Sequence, residues 1–185
     1  MTAKRNSVFI ATSMDGYIAD KNGRLDWLHS IPNPENIDMG YQEFIAHIDA
    51  LVMGRKTFET VCGFDIDWPY QKPVFVLSNT TKEIPGKVKG KAHLVSGHLS
   101  EILDAIRAQG HDHLYIDGGE TIRSFLKEDL IDDMIVTVIP VLLGGGVPLF
   151  SELPEALDFE CTDTKIYLGK VVQNHYKRIR KQHSR

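Results

Sequence analysis

Ala50-Leu51-Val52-Met53-Gly54-Arg55-Lys56-Thr57-Phe58-Glu59 and His113-Leu114-Tyr115-Ile116-Asp117-Gly118-Gly119-Glu120-Thr121-Ile122 share one construction: an apolar strand, a glycine, then the start of a helix. A helix start presents backbone N–H groups without intrahelical partners and the positive end of the helix dipole. Glycine there lets a ligand come close to the backbone. Two such starts in one small domain point to an extended ligand with phosphates at two places, such as a dinucleotide. Arg55-Lys56 adds basic charge beside the first. The first turn is neither a P-loop nor a Rossmann G-x-G-x-x-G, because Gly54 has no earlier glycine partner. Taken singly, each also fits an ordinary strand-to-helix turn with glycine required for steric reasons alone.

Around these two turns the apolar pattern sets out the other elements. Val8-Phe9-Ile10-Ala11 is a buried strand entering Ser13-Met14-Asp15-Gly16, and a Gly-, Pro-, Asn- and Asp-rich loop runs from there to Pro34. Ile37, Tyr41, Phe44, Ile45 and Ile48 recur at helical spacing, which predicts an amphipathic helix over 36–48. Strands follow at Leu51–Met53, Val74–Ser78, His93–Val95 and Leu114–Ile116. Helices are predicted over 57–62, over 102–106 with Gly110 closing it, and along Ile122, Phe125 and Leu126. Met134–Ile139 is a further strand. Residues 159–179 alternate as a hairpin turning at Gly169-Lys170. Strands alternate with helices first and follow one another later, which predicts an α/β fold with a mainly parallel sheet and a C-terminal antiparallel hairpin.

The 185 residues suit one domain, 1–185, and the 42% apolar and 25% charged content is that of an ordinary soluble globule. A net charge of −4 supplies no basic field for nucleic acid. The run Lys177-Arg178-Ile179-Arg180-Lys181 reads as a solvated tail after a strand. Cys62 and Cys161 form no C-x-x-C pair, so neither a disulfide framework nor a zinc knuckle is expected. Met1–Asn6 carries no signal-peptide core, and no apolar stretch reaches membrane-spanning length. A cytoplasmic protein without membrane or nucleic-acid partners is expected. Homodimer formation through Val136–Ile139 and the terminal hairpin is also expected.

Ala11-Thr12-Ser13-Met14-Asp15-Gly16-Tyr17-Ile18-Ala19, Asp26-Trp27, Val52–Glu59, Leu77-Ser78 and Asp117–Thr121 resemble the dihydrofolate reductase superfamily. Ile139-Pro140-Val141-Leu142-Leu143-Gly144-Gly145-Gly146-Val147-Pro148-Leu149-Phe150 is similar to its riboflavin-biosynthesis branch, the C-terminal domain of the bifunctional deaminase-reductase. The resemblance runs from about Val8 to Phe150 and implies an NADPH-dependent oxidoreductase like the 5-amino-6-(5-phosphoribosylamino)uracil reductase. Position by position, it places Gly54, Arg55, Lys56 and Thr57 at phosphates on the adenosine side, and Ser78, Asn79 and Thr80 near the 2′-phosphate. Gly118, Gly119, Glu120, Thr121 and Ile122 would take the pyrophosphate, and Ala11, Thr12 and Ile18 would flank the nicotinamide.

The substrate half departs from both branches. Asp38 stands sixteen residues before Gly54, where the folate branch has its helical carboxylate, but Trp68–Pro73 lacks that branch's tail-binding arginine. The riboflavin branch handles a ribose phosphate after the first glycine turn, where this chain has Gly63-Phe64-Asp65-Ile66-Asp67-Trp68. Two acidic groups there repel a phosphate. The expected substrate is a small pteridine- or pyrimidine-like heterocycle reduced at C=N or C=O. Asp15 and Asp38 are the candidate proton donors, and Ser13, Trp27 and Asp117 the substrate-side residues, with Trp27 on a lid. Dihydrofolate reduction and a non-catalytic NADPH-binding role are the alternatives. His111-Asp112-His113 is expected to be a loop, and no metal site is expected.

Overall fold

The computed structural model describes residues 4–81 and 83–180. Residues 1–3 and Lys181, at the ends of two segments discussed above, lie outside them. Strand β1 (Arg5–Ser13) leads through β2 (Tyr17–Ala19) and a 3-10 turn (Asp26–His29) to α1 (Tyr41–Ala46). Three strand-helix pairs follow: β3 (Ala50–Gly54) with α2 (Arg55–Gly63), β4 (Val74–Leu77) and β5 (Ala92–Val95) with α3 (Leu99–Arg107), and β6 (His113–Asp117) with α4 (Gly119–Lys127). The chain then continues as β7 (Asp133–Ile139), β8 (Val147–Pro148), β9 (Phe159–Tyr167) and β10 (Val171–Arg178). The main sheet has the order β5-β4-β3-β6-β1-β7-β10-β9. Its first six strands are parallel, β10 runs antiparallel to β7, and β9 closes the predicted hairpin.

Both faces of the parallel part are covered, which is why β3 and β4 at its centre read as continuous apolar runs rather than alternating. Val52, Leu114 and Ile116 pack with Ile102, Leu103 and Ile106 of α3 and Ile122, Phe125 and Leu126 of α4. Their neighbours Leu51, Met53, Val74, Val76 and Tyr115 turn to the other face, against Phe58 of α2 and Tyr41, Phe44 and Ile45 of α1. Each fully buried aliphatic side chain contributes roughly 1.5–3 kcal/mol. The register pairs Met53 with Asp117, so β3 and β6 end at the same level. The helices that follow them therefore start side by side.

Three local expectations are corrected. The helix over 36–48 shrinks to α1, because Asn36 and Met39 take positive φ (49° and 54°) and Asn33 folds back on Ile37 with hydrogen bonds of 2.8 and 2.9 Å. The hairpin turns at Leu168-Gly169, one residue earlier than predicted. Both have positive φ, and Lys170 N–H donates to the Tyr167 carbonyl at 3.0 Å, a type I′ arrangement. Val136 and Ile139 are buried in the core, and β7 lies between β1 and β10. Those residues are unavailable for self-association, and the open edge of the hairpin is β9. Among the described residues, no helix is long and apolar enough to cross a membrane, and no metal-ligating cluster occurs.

Candidate active site

The starts of α2 and α4 touch. A methyl group added at Gly54 would stand 3.0 Å from Thr121 Oγ1, and one at Gly118 would collide with the Thr57 hydroxyl. Gly118 also has φ +88°, a conformation that side chains rarely tolerate. Neither helix start has a side-chain cap, so its N–H groups face outward without side-chain partners. Gly54, Lys56, Glu120 and Thr121 line two cavities at once and join them into one groove. One arm, about 530 Å³, reaches Arg55, Ser78, Asn79, Thr80 and His98. There Ser78 Oγ accepts from Thr81 N–H at 2.9 Å and shapes the turn, leaving Asn79 and Thr80 at the rim. Lys56 Nζ and Glu120 form an exposed ion pair at 3.2 Å across the junction.

The other arm is an apolar chamber of about 540 Å³, walled by Phe9, Ile10, Ala11, Ile18, Leu25, Leu28, Val61 and Phe64. Asp117 stands in it at the end of β6, on the same strand face as Tyr115. Its Oδ1 accepts from Gly118 N–H at 2.8 Å. Burial pushes the Asp117 carboxyl up to about 6, against the downward pull of Gly118 N–H. Burial, followed by the charge of Asp117, raises Tyr41, Tyr70 and Tyr115 in turn. Three phenols thus lie within electrostatic range of one carboxyl, Tyr115 in the chamber with it and Tyr41 and Tyr70 in a different cavity. Tyr115 donates its hydroxyl hydrogen to the Phe9 carbonyl at 2.9 Å, which fixes the ring beside Asp117.

Residues 7–172 match the family model described as the RibD C-terminal domain. The chain belongs to the RibD C-terminal domain family. It is 34% identical over 184 residues to the uncharacterized Bacillus subtilis protein YwjB, covering 95% of this chain and 98% of that one. A crystal structure of a Shewanella sp. PV-4 protein, assigned provisionally to riboflavin biosynthesis, is 55% identical with a TM-score of 0.93, covering 95% and 99% of the two chains. Enterococcus faecalis dihydrofolate reductase, solved with NADP(H), is 18% identical with a TM-score of 0.63, covering 94% and 96%. The last likeness concerns the fold, which is of the dihydrofolate reductase type.

In this RibD C-terminal domain the groove gathers most of the residues expected at a dinucleotide: Gly54, Arg55, Lys56, Ser78, Asn79, Thr80, Glu120 and Thr121 on one arm, and Ala11, Ile18, Thr57, Gly118 and Gly119 in the chamber. Thr12 and Ile122 are buried and line neither arm. Asp117 lines the chamber, whereas the other expected substrate-side residues do different work. Ser13 Oγ donates to Asp15 Oδ1 at 2.6 Å, and Asp15 accepts from Leu143 and Gly144 N–H at 3.1 and 2.7 Å. The serine bond and these backbone bonds lower the Asp15 carboxyl and pin the glycine run to the turn after β1. Asp38 is exposed and accepts from Gln42 and Gly40 N–H at 2.8 and 3.1 Å, which lowers it too. It caps α1.

Trp27 is buried against Ile139 and Val171, anchoring the loop whose Leu25 and Leu28 wall the chamber. It is a floor post rather than a lid. The chamber residue that sequence reasoning missed is Tyr115, while Tyr41 and Tyr70 line a different cavity. Only the position of Tyr115, two before Asp117, offered a signal.

Proposed function

We propose that the chain is an NADPH-dependent reductase that transfers hydride to the C=N or C=O carbon of a flat heterocyclic substrate, with Asp117 supplying the proton. The observation that carries this reading is the single groove that crosses two uncapped helix starts and opens into an apolar chamber holding one carboxyl of raised pKa. The residues present fit such a cofactor. Backbone N–H groups at Gly54–Thr57 and Gly119–Thr121 would hold its pyrophosphate, and Arg55, Asn79 and Thr80 would receive its adenosine end. Lys56 would exchange Glu120 for phosphate. The nicotinamide supplies the hydride when bound between Ala11, Ile18 and Gly118.

The protein's own contribution is orientation, exclusion of water and proton delivery. Phe9, Leu25 and Leu28 give the chamber an apolar wall that would exclude water once a substrate is bound. A carboxyl with pKa about 6 keeps a useful protonated fraction near neutrality and can hand its proton to the substrate heteroatom as hydride arrives at the adjacent carbon. Loss of NADPH absorbance with phosphoribosylaminouracil or dihydrofolate, with cofactor binding measured in parallel, tests the reading. NADPH binding with turnover of either supports it. Absence of NADPH binding contradicts it. Dihydrofolate reduction itself is disfavoured as a second reading, because the Asp38 carboxylate caps α1 and lines neither arm of the groove.

A further inference from the structure

Resting on the reductase reading, we propose that the substrate is an unphosphorylated heterocycle with an apolar substituent, its ring beside Asp117 and the substituent against Phe64. Beyond the dinucleotide path, the chamber walls are Phe9, Leu25, Leu28, Val61 and Phe64, with Tyr115, Thr60 and Asp117 as the polar groups. The two hydroxyls are already committed, Thr60 to the Lys56 carbonyl at 2.9 Å and Tyr115 to the Phe9 carbonyl. Their hydrogens spent, both hydroxyls keep only acceptor lone pairs, and Asp117 is the ionisable group beside them that can read a ring edge.

Among the described residues lining the chamber, the cations are Lys56 and Arg123, and both sit at the dinucleotide end. Lys56 faces Glu120, and the Arg123 guanidinium donates to the Pro148 carbonyl. Lys87 and Lys91 line an adjoining cavity on the far side of Val61, with Cys62 and Asp67, where Lys87 Nζ is held by the Cys62 carbonyl at 2.7 Å. A phosphate on the substituent would lie among apolar walls beside the Asp117 carboxylate, while the chamber's two cations are engaged at its other end.

An apolar group meets the opposite situation. The Phe64 side chain is 44% exposed at the mouth, and Val61 and Leu28 stand inside it. A benzyl-sized substituent would cover all three and gain the burial that water now denies them.

The test uses one uracil ring carrying three different 6-amino substituents: phosphoribosyl, ribosyl and benzyl. Each is titrated calorimetrically into the protein saturated with NADP⁺, whose own binding is measured first. The benzyl compound is expected to bind tightest, and the phosphoribosyl compound at least about tenfold more weakly, about 1.4 kcal/mol. Phe64→Ser should weaken the benzyl compound selectively and leave the ribosyl compound unchanged. Equal or tighter binding of the phosphorylated compound overturns the inference, as does binding of none of the three. Failure of NADP⁺ itself to bind instead removes the reductase reading beneath it.

Discussion

Replacing Asp117 by Asn should make the protein more stable and the enzyme slower, and the balance should depend on pH. A carboxyl at about 6 in the folded protein against its ordinary 3.8 corresponds to about 3 kcal/mol against folding once the group is ionised in both states. The amide carries no such cost. It still accepts from Gly118 N–H, as the protonated carboxyl does, so the net gain is about 3 kcal/mol above pH 7, or about 6–12 °C in Tm for a chain of this size. The sign follows from proton uptake. Below pH 4 both states are protonated and the carboxyl costs nothing, so the variant should match the parent there or fall slightly below it. The gap should open as pH rises from 4 to 6 and then level off.

Thermal melts of both proteins from pH 4 to 8 measure this, and turnover follows the same group. Parental kcat/KM should fall as pH rises through about 6, while the variant should lose this limb together with about 10²–10⁴ of rate. A Tm difference that is flat with pH, or a variant less stable at pH 8, would refute the assignment of a buried high-pKa carboxyl.

Three other substitutions probe separate parts of the site. Gly118→Ala forces a side chain into φ +88° and onto Thr57, so it should cost at least about 2 kcal/mol and weaken NADPH binding tenfold or more. Unchanged melting would show that the two helix starts are not in contact. Trp27→Ala should lower stability by about 3–5 kcal/mol, because Trp27 packs on Ile139 and Val171. A change in substrate KM with little change in Tm would restore the lid role. Glu120→Gln releases Lys56 from an exposed pair worth up to about 1 kcal/mol, so NADPH should bind up to about fivefold tighter, an advantage that added salt erases. Weaker binding would mean that Glu120 itself contacts the cofactor.

The groove proposed for the cofactor was legible because its signal is local. Strand, glycine and helix start stand next to one another at Gly54 and Gly118, and backbone geometry does the rest. What lay beyond the sequence was that Thr57 and Thr121 each face the other turn's glycine, so steric contact and ligand access demand the same residues. The substrate side was hard to read because its signals are non-local. Asp15 and Asp38 carry carboxylates of the right type, but short-range backbone hydrogen bonds claim both for a turn and a cap. Helical spacing at Ile37–Ile48 missed the positive φ angles at Asn36 and Met39, which leave the helix to start at Tyr41. Tyr41, Tyr70 and Tyr115 come from α1, the segment before β4, and β6, and no spacing rule links them.

The most direct measurement is a crystal structure of the protein soaked with NADP⁺. One dinucleotide should lie across the groove, its pyrophosphate on the N–H groups that open α2 and α4. The adenosine 2′-phosphate should lie within reach of Arg55 and Thr80, and the nicotinamide beside Ala11 with Asp117 opposite its reactive face. A dinucleotide bound along another surface, or one whose nicotinamide lies outside the chamber of Asp117, would contradict the proposed site.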